Sequence, residues 1–159
     1  MAAKKAKFVE DGVKIIAKNR KAFHEYEILE RWEAGLVLLG TEVKALRNGR
    51  CNLGDSYAEI REGEGWLSKM HIGPYEMGNR ENHDPFRRRK LLLNRREIRK
   101  IRPKLEEKGL TLIPLRIYFK HGIVKIEIGL GRGKKMHDKR QSQAKKDVDM
   151  RIRREMGRH

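Results

Sequence analysis

Thr111-Leu112-Ile113-Pro114-Leu115-Arg116-Ile117-Tyr118-Phe119-Lys120 and Ile123-Val124-Lys125-Ile126-Glu127-Ile128-Gly129-Leu130 are two runs rich in β-branched residues, joined at Lys120-His121-Gly122. Branched and aromatic side chains fit a pleated, half-buried surface, and a glycine in a short link permits a tight reversal, so this stretch predicts a β-hairpin. Upstream, Tyr57 to Arg61 and Trp66 to Ile72 predict a second hairpin around Glu62-Gly63-Glu64-Gly65. From His24 to Glu33 the chain alternates, with Tyr26, Ile28 and Trp32 on one side and Glu25, Glu27, Arg31 and Glu33 on the other. Period two is the mark of a strand with one buried face, and Gly35 then permits a bend before Leu36-Val37-Leu38-Leu39.

Two helices are expected between these strands. Thr41 caps a short one with Val43 and Leu46 inward, ended by Asn48-Gly49. Asn94 caps another that runs toward Lys108, with Ile98, Ile101 and Leu105 inward, shortened or kinked by Pro103 and closed by Gly109. Many strands, few helices and no internal repeat predict a mainly β fold: a closed antiparallel barrel, of which the oligonucleotide-binding (OB-like) type is the leading candidate, with two or three small α-helices.

The 159 residues make about one domain, on a rough scale of ~150 residues each. Lys and Arg number 39 against 22 Asp and Glu, a formal charge of +17. The field around such a chain attracts polyanions, and a neutral small molecule is a poor match for it. Residues 1–21, 22–131 and 132–159 carry +5, +5 and +7, so the ends hold most of the excess. This divides the chain into a flexible basic arm (1–12), a folded body (13–131) and a basic tail (132–159). Cys51 is the single cysteine, which excludes a disulfide framework and any multi-thiolate zinc site. With no apolar run near the ~18 residues of a membrane span and no leader pattern, a soluble cytoplasmic chain with no membrane partner is expected.

Catalytic and cofactor motifs fail on inspection. Gly129-Leu130-Gly131-Arg132-Gly133-Lys134 lacks the P-loop spacing, which needs Gly at Ile128 and Ser or Thr at Lys135, and it lacks the third glycine of a dinucleotide fingerprint. It reads instead as a flexible cationic segment. The six histidines are scattered without ligand spacing, and His83-Asp84-Pro85 reads as a turn. Asp55-Ser56-Tyr57 lacks the glycine elbow of a hydrolase serine. The expectation is a protein that is not an enzyme and holds no metal or cofactor. A carboxylate-and-lysine nuclease is the last-ranked alternative.

Phe86 to Lys104 contains ten basic residues, Arg89 and Lys90 among them, against one acid, Glu97. A solvated helix face normally intersperses acids for i,i+4 pairing, so this run predicts polyphosphate binding. One leucine of Leu91-Leu92-Leu93 is available as an apolar contact for unstacked bases. Glu33 is either an outward strand charge or an acceptor for a base amine or a ribose 2′-OH. The tail lacks Phe, Trp and Tyr and is expected to be disordered in isolation. Ala144, Val148, Ile152 and Met156 recur every fourth residue, a stripe that forms one helix face once a partner surface is supplied.

Several blocks in order, Asn19-Arg20-Lys21-Ala22-Phe23-His24-Glu25-Tyr26, Glu33-Ala34-Gly35, Gly40-Thr41-Glu42-Val43-Lys44, Asp55-Ser56-Tyr57-Ala58, Arg89-Lys90-Leu91-Leu92-Leu93-Asn94 and Gly133-Lys134-Lys135, closely resemble the SmpB, or SsrA-binding protein, family. The resemblance implies an OB-like barrel and a non-enzymatic partner of transfer-messenger RNA (tmRNA). Such a protein clasps the tRNA-like domain, stands in for the missing anticodon arm and serves trans-translation on stalled ribosomes. By the same resemblance Asn19, His24, Glu33, Leu92, Asn94 and Lys125 are RNA-binding positions. Gly133, Lys134, Lys135, His137, Asp138, Lys139 and Arg140 are implied to act at the decoding centre of the small ribosomal subunit, where the tail enters the message channel. A monomer is expected when free. The alternative from composition is a basic ribosomal or ribosome-assembly protein bound to ribosomal RNA.

Overall fold

The computed structural model describes residues 12–157, without the side chains of residues 79–81, 136–139 and 142. The basic arm expected over 1–12 therefore lies, apart from Gly12, outside the described residues. The fold is mainly β with four α-helices. In chain order the elements are β1 (Val13–Lys18), α1 (Arg20–Glu25), β2 (Tyr26–Leu36), α2 (Gly40–Arg47), β3 (Cys51–Asn52), β4 (Tyr57–Arg61), β5 (Glu64–Ser68), β6 (His71–Ile72), a 3-10 turn (Glu76–Glu81), β7 (Arg89–Leu92), α3 (Arg95–Leu105), β8 (Leu110–Lys120), β9 (Ile123–Gly133) and α4 (Met136–Met156).

One sheet holds seven strands in the order β1-β8-β4-β5-β7-β2-β9, and β9 also pairs with β8, so the pairings return to the strand from which they spread. Strands β3 and β6 form a separate pair. The β8–β9 hairpin pairs from Lys120–Ile123 to Leu110–Arg132, with one register shift between Pro114 and Arg116. Its turn residues His121 and Gly122 sit at φ +50° and +78°, the left-handed pair that matches the twist of the flanking strands. The β4–β5 hairpin closes the same way on Glu62 and Gly63, so β5 begins at Glu64, two residues before the expected start.

The alternation from His24 to Glu33 conceals two events. Residues 20–25 are helical because Asn19 caps them: its side-chain oxygen accepts from the Ala22 N–H at 3.1 Å, and its amide donates to the carbonyls of Pro114 at 2.8 Å and Leu53 at 3.3 Å. Strand β2 then bulges between Ile28 and Glu30. An extra residue in a strand flips the side chains beyond it to the other face. Tyr26 and Ile28 accordingly pack on a small cluster with Ala22, Ile113 and Leu115, whereas Trp32 and Ala34 join the main core of Leu67, Ile101, Leu112, Ile126 and Ile128. A matching bulge lies between Pro114 and Arg116, and the neighbourhood of a bulge is one of the few places where a strand accommodates a proline.

Two further expectations are corrected. Gly129 and Gly131 belong to β9, not to a flexible segment: a Cβ on Gly129 would lie 2.8 Å from Leu115 Cδ1, so the glycine gives the small cluster room. Helix α3 stops at Leu105, two residues past Pro103, well short of Lys108. The tail carries the 21-residue helix α4, a stretch in which nothing from Met136 to Met156 is Gly or Pro. Val148, Ile152 and Met156 of its apolar stripe are exposed.

Candidate nucleic-acid interface

Side chains directly opposite one another on antiparallel strands share a face. Across β7, β2, β9 and β8 the register sets Leu92, Gly35, Lys125 and Tyr118 in one row, and Glu33, Glu127 and Arg116 in the row beside it. Three residues far apart in sequence, Glu33, Leu92 and Lys125, are thereby brought to one open face. Asn94 follows directly, at the N-cap of α3, where the Glu97 carboxylate accepts from its backbone N–H at 3.1 Å.

The face is a polar network. Arg116 donates through Nε and Nη2 to Glu127 Oε2 at 3.1 and 3.0 Å, and Arg31 donates to Glu127 Oε1 at 3.2 Å. The Tyr118 hydroxyl donates to Glu33, and Lys120 Nζ lies 3.3 Å from both Glu33 oxygens. The Tyr118 hydrogen bond first, and Lys120 after it, hold the Glu33 carboxyl below the usual carboxylate range against the effect of partial burial. Glu33 is thus an ionised acceptor, fixed in orientation and open on one side. Sequence reasoning missed Tyr118, Arg116, Arg31, Lys120 and Glu127. The available signal was the polar series Arg116, Tyr118, Lys120 at period two, matched by Lys125 and Glu127 at period two on the second strand.

The network gives a direct expectation. In Tyr118→Phe the ring and its packing stay, the hydroxyl goes, and the Glu33 titration midpoint moves up, because the group that most favours its charged form is lost. Carboxyl NMR titration of both proteins measures it. An unmoved midpoint would mean that Tyr118 does not organise Glu33.

The basic run from Phe86 to Lys104 divides in three. Arg89 is a correction to the charge map: its side chain is fully buried, it donates through Nε to the buried Glu42, and its other nitrogens reach the carbonyls of Met70 at 2.7 Å and Pro85 at 3.3 Å. It cannot reach a phosphate. Arg87 shares Glu42 at 2.6 Å. Half-buried Lys90 and Lys104 are tied to Glu64 and Glu30, and exposed Arg88 to Glu59, with Arg88 also lying over Trp66 at 4.4 Å to the ring centre. Arg95, Arg96, Arg99, Lys100 and Arg102 on α3 make no ion pair among the described residues, while Ile101 anchors the opposite side of the helix in the core.

The remaining predicted positions lie roughly 23 Å away along β2, at ~3.3 Å per residue from Glu33 to Tyr26. Asn19 is buried, with its side-chain amide and oxygen bonded within the protein. His24 is half-buried in the last turn of α1. That helix end receives the start of the tail: the Lys134 N–H donates to the Glu25 carbonyl at 2.8 Å and Lys134 Nζ to the Phe23 carbonyl at 3.2 Å. Gly133 ends β9 opposite Tyr26, Lys135 stands directly before α4, and Arg140 is exposed on it. The side chains of His137, Asp138 and Lys139 lie outside the described residues.

Buried His83 is structural: its two ring nitrogens lie 2.9 Å from Thr41 Oγ1 and 2.9 Å from the Ile72 carbonyl. Among the described residues no group of three or more His, Cys, Asp or Glu is placed to hold a metal, and no helix is long and apolar enough to cross a membrane.

The family model described as SmpB protein matches residues 16–158. The chain belongs to the SmpB family. An SsrA-binding protein from Desulfitobacterium hafniense is 58% identical over 144 residues, 91% of this chain and 92% of the relative. One from Carboxydothermus hydrogenoformans is 60% identical over 135 residues, 85% and 91% of the two chains. A solved structure described as "tmRNA-SmpB: a journey to the center of the bacterial ribosome" is similar at a TM-score of 0.65 and 51% identity, covering 76% of this chain and 85% of that one.

Proposed function

We propose that this chain is a non-enzymatic RNA-binding adaptor that grips the tRNA-like domain of tmRNA with its body and delivers it to stalled ribosomes for trans-translation, acting in the cytoplasm as a monomer when free. The observation that carries the reading is the convergence of Glu33, Leu92 and Lys125 on one cationic face in a member of this family. The ring of pairings, bent at two bulges, is read as a closed OB-like barrel, the kind of scaffold that presents a strand face to nucleic acid.

Binding proceeds by charge and then by shape. The unpaired arginines and lysine of α3 attract phosphates, while fixed groups on the strand face discriminate among exposed loop nucleotides. Glu33 accepts from a base amine or 2′-OH, Lys125 meets a phosphate, and Leu92 offers an apolar contact. His24 extends the grip, and Lys90 adds charge. The tail beyond Lys135 is fixed by the ribosome: its stripe of Val148, Ile152 and Met156 is bare, and a helix draws most of its stability from packing its apolar face. Gly133, Lys134, Lys135, His137, Asp138, Lys139 and Arg140 then work at the decoding centre of the small subunit.

The test is binding of a tRNA-like RNA against a random RNA of equal length over a salt series. With about 8 phosphates neutralised, log affinity falls against log salt with a slope of roughly −6 to −7. Glu33→Ala removes a negative charge; pure charge attraction would tighten binding, whereas an acceptor role weakens the tRNA-like RNA and spares the random one. A flat salt response, or tighter binding of both RNAs by Glu33→Ala, would contradict the reading.

A further inference from the structure

The strand face carries apolar side chains that a folded protein ordinarily buries. Leu92, Val37 and Ile123 are 54%, 46% and 61% exposed. They are not scattered. Val37 donates its N–H to the Lys90 carbonyl at 3.0 Å, continuing the β2–β7 ladder past Leu36–Leu91, so its side chain takes the same face as Gly35 and Leu92. Ile123 stands two residues from Lys125 on β9, also on that face, and continuing the antiparallel register past its last pair, Gly35–Lys125, points Ile123 toward Val37. Leu92 leans over Gly35, where an added Cβ would come within 3.3 Å of Leu92 Cβ and Cδ1. The result is an aliphatic shelf spanning β7, β2 and β9.

Its rim is cationic. Lys90 and Lys120 flank it, held by Glu64 and Glu33, and Lys125 beside Ile123 makes no ion pair among the described residues. Three side chains fall far short of the ~800 Å² per partner that a stable protein interface buries. A ligand for this shelf is small, apolar on one face and anionic at its edge.

We infer that Val37, Leu92 and Ile123 form the seat of one unstacked nucleotide, its base lying on the three aliphatic side chains and its phosphate on Lys125. This rests on the RNA-adaptor reading and extends it, adding Val37 and Ile123 as contacts that select unpaired over paired nucleotides, since a base within a duplex stack cannot offer its face.

The experiment uses the full chain with labelled methyl groups, titrated with a short single-stranded oligoribonucleotide and with a blunt duplex RNA at equal phosphate concentration. The Val37, Leu92 and Ile123 methyls shift through ring currents with the single strand and stay in place with the duplex. The double variant Val37→Ser, Ile123→Ser, altered only at exposed positions, binds the single strand about fivefold more weakly and the duplex equally well, as expected for loss of ~1 kcal/mol of base contact. Equal shifts with both RNAs, no methyl shift, unchanged single-strand affinity, or the same shifts from an uncharged apolar peptide would each overturn the seat. Failure of the adaptor reading is read separately, as loss of wild-type preference for tRNA-like over random RNA.

Discussion

Glu42→Ala is expected to lower the unfolding free energy by about 3–5 kcal/mol, because deleting one partner of a buried ion pair strands the other. Glu42 and Arg89 are both fully buried, and the Glu42 carboxylate also accepts from Arg87 at 2.6 Å and from the Leu39 N–H at 2.8 Å. Without it Arg89 keeps only carbonyl partners, and Arg87, whose Nε already lacks a partner, loses its acid. At about 2–4 °C per kcal/mol for a chain of this size, the melting temperature falls by roughly 6–20 °C. Burial pushes the Glu42 carboxyl up, but the Arg87 hydrogen bond, the Leu39 N–H and the Arg89 charge outweigh it and hold it below the usual range. A carboxyl depressed in the folded state contributes stability in full above its unfolded value and loses it as pH falls through the folded one. The gap between wild type and variant therefore narrows in acid. Denaturant melts over an acid-to-neutral series check this, and a constant gap, or one under about 1 kcal/mol, would mean that the pair does not brace β7 against α2.

The second large effect is functional. Ending the chain after Lys135 removes α4 and keeps the bonds from Lys134 to the Glu25 and Phe23 carbonyls that finish α1. Affinity for the tRNA-like RNA is expected to stay within about twofold, since no group of the strand face is lost and the four-residue apolar stripe of α4 covers nothing. Tagging of nascent peptides on stalled ribosomes is expected to fall to background. Binding and tagging assays on the same truncated protein separate the two steps. A parallel loss in both would place the tail in the RNA grip instead.

The β8–β9 hairpin was plain in the sequence because two branched runs frame His121-Gly122 and local chemistry agrees with the tertiary outcome. What stayed hidden depends on the third dimension. The cap at Asn19 works through Leu53 and Pro114, distant in sequence, so α1 looked like the start of a strand. The bulge after Ile28 leaves the even-numbered apolar pattern intact while sending Tyr26 and Trp32 to different clusters. In the basic run, charge was legible and burial was not: nothing local separates Arg89, folded inward onto Glu42, from Lys90, facing solvent beside it. The strand-face site was half visible, as family-matched positions, but Tyr118 and the Val37–Ile123 shelf depend on which residues the register sets side by side.

The most direct measurement is sequencing of the RNA crosslinked to this protein in living cells. An adaptor of the kind argued above yields reads concentrated on the tRNA-like domain of a single small stable RNA, from a protein present well below one copy per ribosome. Reads spread over ribosomal RNA, from a protein equimolar with its subunit, would contradict it.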